Sequence, residues 1–143
     1  MKIKNTIRAL TCCVGAALLA ITPRAMLAHH GTSGYDLQKW ITLEGTVTSL
    51  DWSNPHCLLH FDAKNEAGEV QHWTIEMYNP LWMARAGWTR TSLKAGDPIT
   101  ITFHGSKSGS PGGYMRDGDG KLTSNGKDFS LHQGGDERGP GEH

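Results

Sequence analysis

Trp73-Thr74-Ile75-Glu76-Met77-Tyr78-Asn79-Pro80-Leu81-Trp82-Met83-Ala84-Arg85-Ala86-Gly87 changes its pattern halfway along. Its first half alternates: Trp73, Ile75 and Met77 on one side, Thr74 and Glu76 on the other, which is the period-two pattern of a half-buried strand. At Asn79-Pro80 the pattern changes. Asn is a good helix cap, and Pro is tolerated at the first helical position because its missing N–H would be unpaired there anyway. Leu81 to Ala86 then reads as a short helix, and Gly87 suits the left-handed residue that ends it.

Upstream, Asn65-Glu66-Ala67-Gly68 is a hairpin turn. Before it lies a strand from His56 to Asp62, with Cys57, Leu59 and Phe61 inward and His56, Leu58 and His60 outward. Ser53-Asn54-Pro55 is a turn. From Trp40 to Trp52, Ile41, Leu43, Gly45 and Val47 alternate with Thr42, Glu44, Thr46 and Thr48, and the apolar phase then shifts to Leu50 and Trp52. A bulge, or a strand bent at Gly45 to serve both sides of a barrel, accounts for the shift. The polar segment from His29 to about Lys39 reads as an N-terminal arm. Downstream, Leu93 to Pro98 is a loop and Ile99, Ile101 and Phe103 mark strand four. A fifth strand falls near Tyr114–Arg116 or Lys121–Thr123. Three strands, a short helix and two further strands predict a mainly β protein: a small OB-like five-stranded barrel with one short helix between strands three and four. About five strands and an interrupting helix do not suit an immunoglobulin-like sandwich.

The ends of the chain read differently. Lys2, Lys4 and Arg8 precede an uncharged run from Ala9 to Ile21, and Arg24-Ala25-Met26-Leu27-Ala28 follows. This is the order of a secretory signal peptide cut after Ala28. The run is shorter than the roughly 20 apolar residues of a membrane span, so residues 1–28 are expected to be a cleaved leader. The protein is then periplasmic or secreted, and not membrane-embedded after cleavage. Residues 29–123 form one barrel domain, and residues 124–143 a flexible Gly-rich tail, since 11 of the 18 glycines lie from Gly105 onward.

Lys+Arg and Asp+Glu balance at 14 each in the full chain, and cleavage removes four basic residues and no acidic one. A mildly acidic product argues against nucleic-acid binding. Cys12 and Cys13 leave with the leader, so Cys57 remains alone and cannot form an intrachain disulfide. It is expected to be buried.

Ala28-His29-His30, Tyr35-Asp36, Leu43-Glu44-Gly45-Thr46-Val47, Trp52-Ser53-Asn54-Pro55-His56, Gly87-Trp88-Thr89-Arg90 and Leu93-Lys94-Ala95-Gly96-Asp97 occur in that order. Together they resemble a family of small exported bacterial proteins of unknown function with an A-H-H mature start and a W-x-N-P-H turn. The likeness runs from about His29 to Lys107. It implies an exported β-barrel protein without an established biochemical role. The family's closing strand is matched only loosely by Tyr114-Met115-Arg116-Asp117-Gly118-Asp119-Gly120-Lys121-Leu122.

All eight histidines lie after the leader. Cleavage after Ala28 makes His29 the N-terminus, so its α-amine and imidazole can chelate one ion, with His56 as the leading further ligand and His30 beside them. Amine and imidazole nitrogens in a flat arrangement suit Cu(II) better than Zn(II), which prefers tetrahedral sites. A second patch comes from pairing Leu59 with Trp73, which sets His60 opposite His72 and His56 opposite Glu76. Trp88, beside Arg90, is the tryptophan expected to be partly exposed and to contact a ligand. No phosphate-binding loop, nucleophile elbow or His-Glu-x-x-His helix is present, and Asp117–Leu122 fails as a calcium loop.

Three functions follow, in order: a binding protein holding copper (or zinc) through His29, His56 and His30; a non-metal module docking a protein partner or small ligand on strands two and three; and a copper-dependent oxidative enzyme.

Overall fold

Strand β1 runs for 17 residues, Tyr35–Asp51, because its chain bends and serves two neighbours. The computed structural model describes residues 31–116 and 120–131. From Tyr35 to Thr46, β1 pairs antiparallel with β4 (Pro98–Ser106), and from Thr46 to Asp51 with β2 (Leu58–Lys64). Thr46 belongs to both ladders. The register slips between Val47 and Ser49, so a bulge and a change of partner together explain the shifted apolar phase. Gly45 sits at the seam: a Cβ there would lie 2.5 Å from the Asp62 carbonyl oxygen and 2.7 Å from the Phe61 ring.

β2 and β3 (Val70–Glu76) form a hairpin. Helix α1, Pro80–Arg85, begins where Asn79 Oδ1 accepts the Trp82 N–H at 2.9 Å. It ends at Gly87, whose φ is 83°, with Trp88 N–H on the Met83 carbonyl and Gly87 N–H on that of Ala84. β5 (Gly112–Tyr114) then lies between β3, to which it is parallel, and β4. The order β1-β2-β3-β5-β4, closed by β1–β4, is the five-stranded OB-like barrel expected, with its one short helix between β3 and β4. Leu59, Phe61, Ile75, Ile101 and Phe103 fill its interior.

Three details correct the sequence reading. The N-terminal arm gives way to strand at Tyr35, which pairs with Ser106 and packs its ring 5.3 Å from that of Tyr114. Both candidate fifth strands exist: β5 closes the barrel, while β6 (Lys121–Ser124) pairs with β4 and turns into β7 (Lys127–Phe129). The described fold therefore continues past Ser124, the expected start of the tail. Asn125 and Gly126 hold φ of 50° and 75° in the turn, and Leu131 is buried. Residues 132–143, and residues 1–30 with the segment expected to be a leader, lie outside the described residues. Among the described residues no helix is long and apolar enough to cross a membrane.

Candidate functional site

The ends of β3 and β5, which run parallel, bring Glu76 and Arg116 to the same end of the barrel. Tyr35 arrives there on the first residue of β1, and His56 on the segment that follows the cis Asn54–Pro55 bond. Glu76 is the hub. Its Oε1 accepts from Arg116 Nη1 at 2.9 Å and lies 3.0 Å from His56 Nδ1, and its Oε2 lies 3.5 Å from the Tyr35 hydroxyl. The same Arg116 Nη1 also touches His56 Nε2. Arg can only donate, so a proton on Nδ1 with the lone pair of Nε2 toward the guanidinium is the tautomer that suits both contacts.

The guanidinium carbon sits 5.2 Å from the centre of the Tyr114 ring. Arg116 Nε is buried and has no hydrogen-bond partner among the described residues. Glu76, His56 and Arg116 keep about a fifth of their side-chain surface in water, so the cluster is half-buried and reachable. Burial, followed by the Glu76 charge, pushes the Tyr35 phenol up from its ordinary value of 10.0.

A second set of polar pairs lies on β1, β2 and β3. His60 donates or accepts at both nitrogens, 2.9 Å from Thr74 Oγ1 and 3.2 Å from Asp51 Oδ2. His72 Nδ1 is 2.6 Å from Asp62 Oδ1, and its side chain is 84% exposed. This departs from the expected register. Phe61, not Leu59, faces Trp73, so His60 stands opposite Thr74, His72 opposite Asp62, and Leu58 opposite Glu76. The cause is the turn. Asn65 to Glu69 forms a five-residue loop in which Asn65 Oδ1 accepts the Glu69 N–H and the Asn65 carbonyl accepts that of Gly68, and each extra loop residue moves the pairing. His56 meets Glu76 all the same, from the segment just before β2 begins at Leu58.

His29 and His30 lie outside the described residues. Among the described residues, no group of three His, Cys, Asp or Glu side chains is placed to hold a metal ion. Trp88 is not the exposed platform expected: it is 3% exposed, and its indole N–H donates to the Ser130 carbonyl at 2.7 Å because the chain after β7 covers it. Arg90 donates from Nη1 to the Trp52 carbonyl at 3.2 Å, which ties down the turn before His56. Cys57 is fully buried, and burial pushes its thiol up. Arg116 and Tyr35 were not singled out as site residues in the sequence. Their partners are 40 and 41 residues away, and only the barrel's closure brings them together.

The comparison with curated proteins returns no match. A family model described as "Family of unknown function (DUF6152)" matches residues 17–115, a stretch that includes Tyr35, His56, Glu76 and Tyr114 and ends one residue before Arg116. That match covers most of the chain and all five barrel strands, and the chain belongs to this family.

Proposed function

We propose that the chain is an exported, periplasmic or secreted, small binding protein that holds a transition metal ion, copper, with His56 Nε2 as a ligand. The observation that carries this reading is the Glu76 carboxylate on His56 Nδ1 at 3.0 Å. A metal-binding histidine commonly gives its other ring N–H to a carboxylate, which fixes the tautomer and raises the basicity of the ligating nitrogen. His56 has that support from Glu76. His29 and His30 enter the reading from the sequence alone, as does the leader.

The test is native mass spectrometry of the protein recovered without chelator, followed by copper titration of the wild type and His56→Ala. A chain that starts at His29 and carries a near-stoichiometric ion is the expected result. Loss of His56 should weaken binding at least about tenfold. A chain that stays empty when copper is offered, or an unchanged affinity in His56→Ala, overturns the proposal.

A second reading, a module that docks a partner or small ligand on β2 and β3, is favoured by the His60–Asp51 and His72–Asp62 pairs on that face. It expects capture that survives chelation and is lost when His60 and His72 are changed together.

A further inference from the structure

We infer, independently of the metal reading, that Thr74, His60 and Asp51 form a nucleophile, its base and a positioning carboxylate that take an acyl group from small activated esters.

The three side chains lie in a row across β3, β2 and β1. Thr74 Oγ1 is 2.9 Å from His60 Nδ1, and His60 Nε2 is 3.2 Å from Asp51 Oδ2. A carboxylate only accepts, so the neutral tautomer that suits both contacts has its proton on Nε2. The lone pair of Nδ1 then faces the Thr74 hydroxyl, which donates to it. A hydroxyl held on an imidazole whose other nitrogen is oriented by a third group is the arrangement that activates a nucleophile.

The backbone builds this row in two steps. His60 and Thr74 are direct cross-strand partners, and both face outward because Leu59, Phe61 and Ile75 fill the interior. Asp51 joins them through the bulge in β1. Thr46 and Val47 face Asp62 and Phe61, and that register continued without a slip would set Asp51 opposite the buried Cys57. The slip before Ser49 sets Leu50 against Leu59 and Asp51 against Leu58 instead. Leu50 therefore packs on the core and Asp51 turns to the face of His60. Bulges re-aim side chains in this way.

Room for an acyl group lies on the other side of Thr74, where β5 offers Gly112 as the cross-strand partner. Gly113 turns inward, since its Cβ would meet Phe103 and Ile75, so Gly112 faces outward beside Thr74. A Cβ on Gly112 would meet nothing nearer than the Thr74 carbonyl oxygen at 3.9 Å. His60 keeps 28% of its side-chain surface in water and Asp51 55%, so a ligand reaches the row from solvent. An open strand face grips little of a ligand, which restricts the chemistry to short acyl groups on good leaving groups.

Thr74 Oγ1 attacks the ester carbonyl carbon as its proton passes to His60 Nδ1, and Asp51 stabilises the imidazolium. The bond from that carbon to the leaving oxygen breaks, the alcohol takes the proton from Nδ1, and the acyl group stays on Oγ1. Water then repeats the exchange: its proton goes to Nδ1, the acid departs, and Thr74 regains its hydrogen. One ester and one water give one acid and one alcohol.

The probe is p-nitrophenyl acetate, offered to the full recovered chain with chelator present so that no ion contributes. The expected result is a burst of about one equivalent of p-nitrophenol, with an acetyl ester located on Thr74 by peptide mapping. His60→Gln should slow acetylation of Thr74 about a hundredfold or more, as loss of a positioned base does. Thr74→Val should abolish the burst and Thr74→Ser restore it. Asp51→Asn should slow acetylation less, because the carboxylate is half in water. Its His60 ring nitrogen resonances should also pass from the Nε2–H tautomer to a mixture, which a merely structural Asp51 would not cause.

Thermal melting checks that each variant folds, and mapping of the wild type decides the matter alone if Thr74→Val does not. No acetyl group on Thr74 in the wild type, or acetylation at the same rate in His60→Gln, overturns the proposal and leaves the metal reading standing. An unchanged rate and tautomer in Asp51→Asn overturns the three-residue arrangement.

Discussion

His56 and His72 each bring Nδ1 to a carboxylate, 3.0 Å from Glu76 and 2.6 Å from Asp62, yet the side chains of the first pair are 22% and 19% exposed and those of the second 84% and 34%. The shorter contact is the weaker one. On the open face of β2 and β3 water competes for both partners, and such pairs contribute between nothing and about 1 kcal/mol. At the end of the barrel Glu76 serves His56, Arg116 and Tyr35 at once, with much of its surface withdrawn from water. Removing a shared partner there strands the others. Burial and sharing, more than distance, decide which of two similar pairs matters.

The largest expected effect separates the two regions through the strand that feeds only one of them. β5 reaches its place between β3 and β4 because Gly113 has no side chain: a Cβ there would meet the Phe103 ring at 2.3 Å and Ile75 Cδ1 at 2.7 Å. Gly113→Ala should cost about 3 kcal/mol, as overpacking of a tight core does. It should also displace Arg116 and Tyr114 while the β2–β3 hairpin keeps its pairs. Urea unfolding gives the first quantity, and histidine ring NMR the second. His56 signals are expected to move and those of His72 to hold. Equal shifts in both would show that the two regions are not independent.

Next in size is a matched pair of neutralised carboxylates. Glu76→Gln should lose about 2 kcal/mol, less than a fully buried ion pair because a fifth of each side chain remains in water. Asp62→Asn should lose less than about 0.5 kcal/mol despite the closer contact. Chemical denaturation of both variants beside wild type checks this, and equal losses would remove the distinction drawn from burial.

The same contrast marks what the sequence makes legible. Alternating side chains expose β1 to β4 because each has one face in the core, and Asn79-Pro80 and Gly87 bracket α1 by their own backbone chemistry. β5 is hard to see for the opposite reason. Its Gly112 and Gly113 are poor strand formers by propensity, and their place depends on Phe103 and Ile75 from other strands. The β6–β7 hairpin did have a local signal, Asn125-Gly126, the dipeptide that suits two successive positive φ values; overall glycine content obscured it. Among the site residues, His56 and Glu76 are visible as reactive types near a turn. Arg116 and Tyr35 are not, since nothing local distinguishes an arginine that finds its partner only when a barrel closes. His60 and His72 were legible as an outward patch, but their true partners follow from a register two residues along from the one that pairs Leu59 with Trp73, since Leu59 faces Ile75.

The smallest effect concerns a proton. Tyr35 is held neutral first by burial and then by the Glu76 charge, with Arg116 opposing in part, so its folded pKa lies above 10.0. Between the unfolded value and the raised folded one, the native state keeps a proton that the unfolded chain has released. Stability from this group is therefore complete below pH 10 and declines as pH rises through that window. Ultraviolet titration should show a phenol ionising above pH 10 that Tyr35→Phe lacks. Glu76→Gln should bring it down, because the second-largest cause is removed, whereas Asp62→Asn should leave it in place. A late phenol that survives in Tyr35→Phe would place the shift elsewhere. One indifferent to Glu76→Gln would leave burial as the sole cause, and the carboxylate would no longer join Tyr35 to His56 and Arg116 electrostatically.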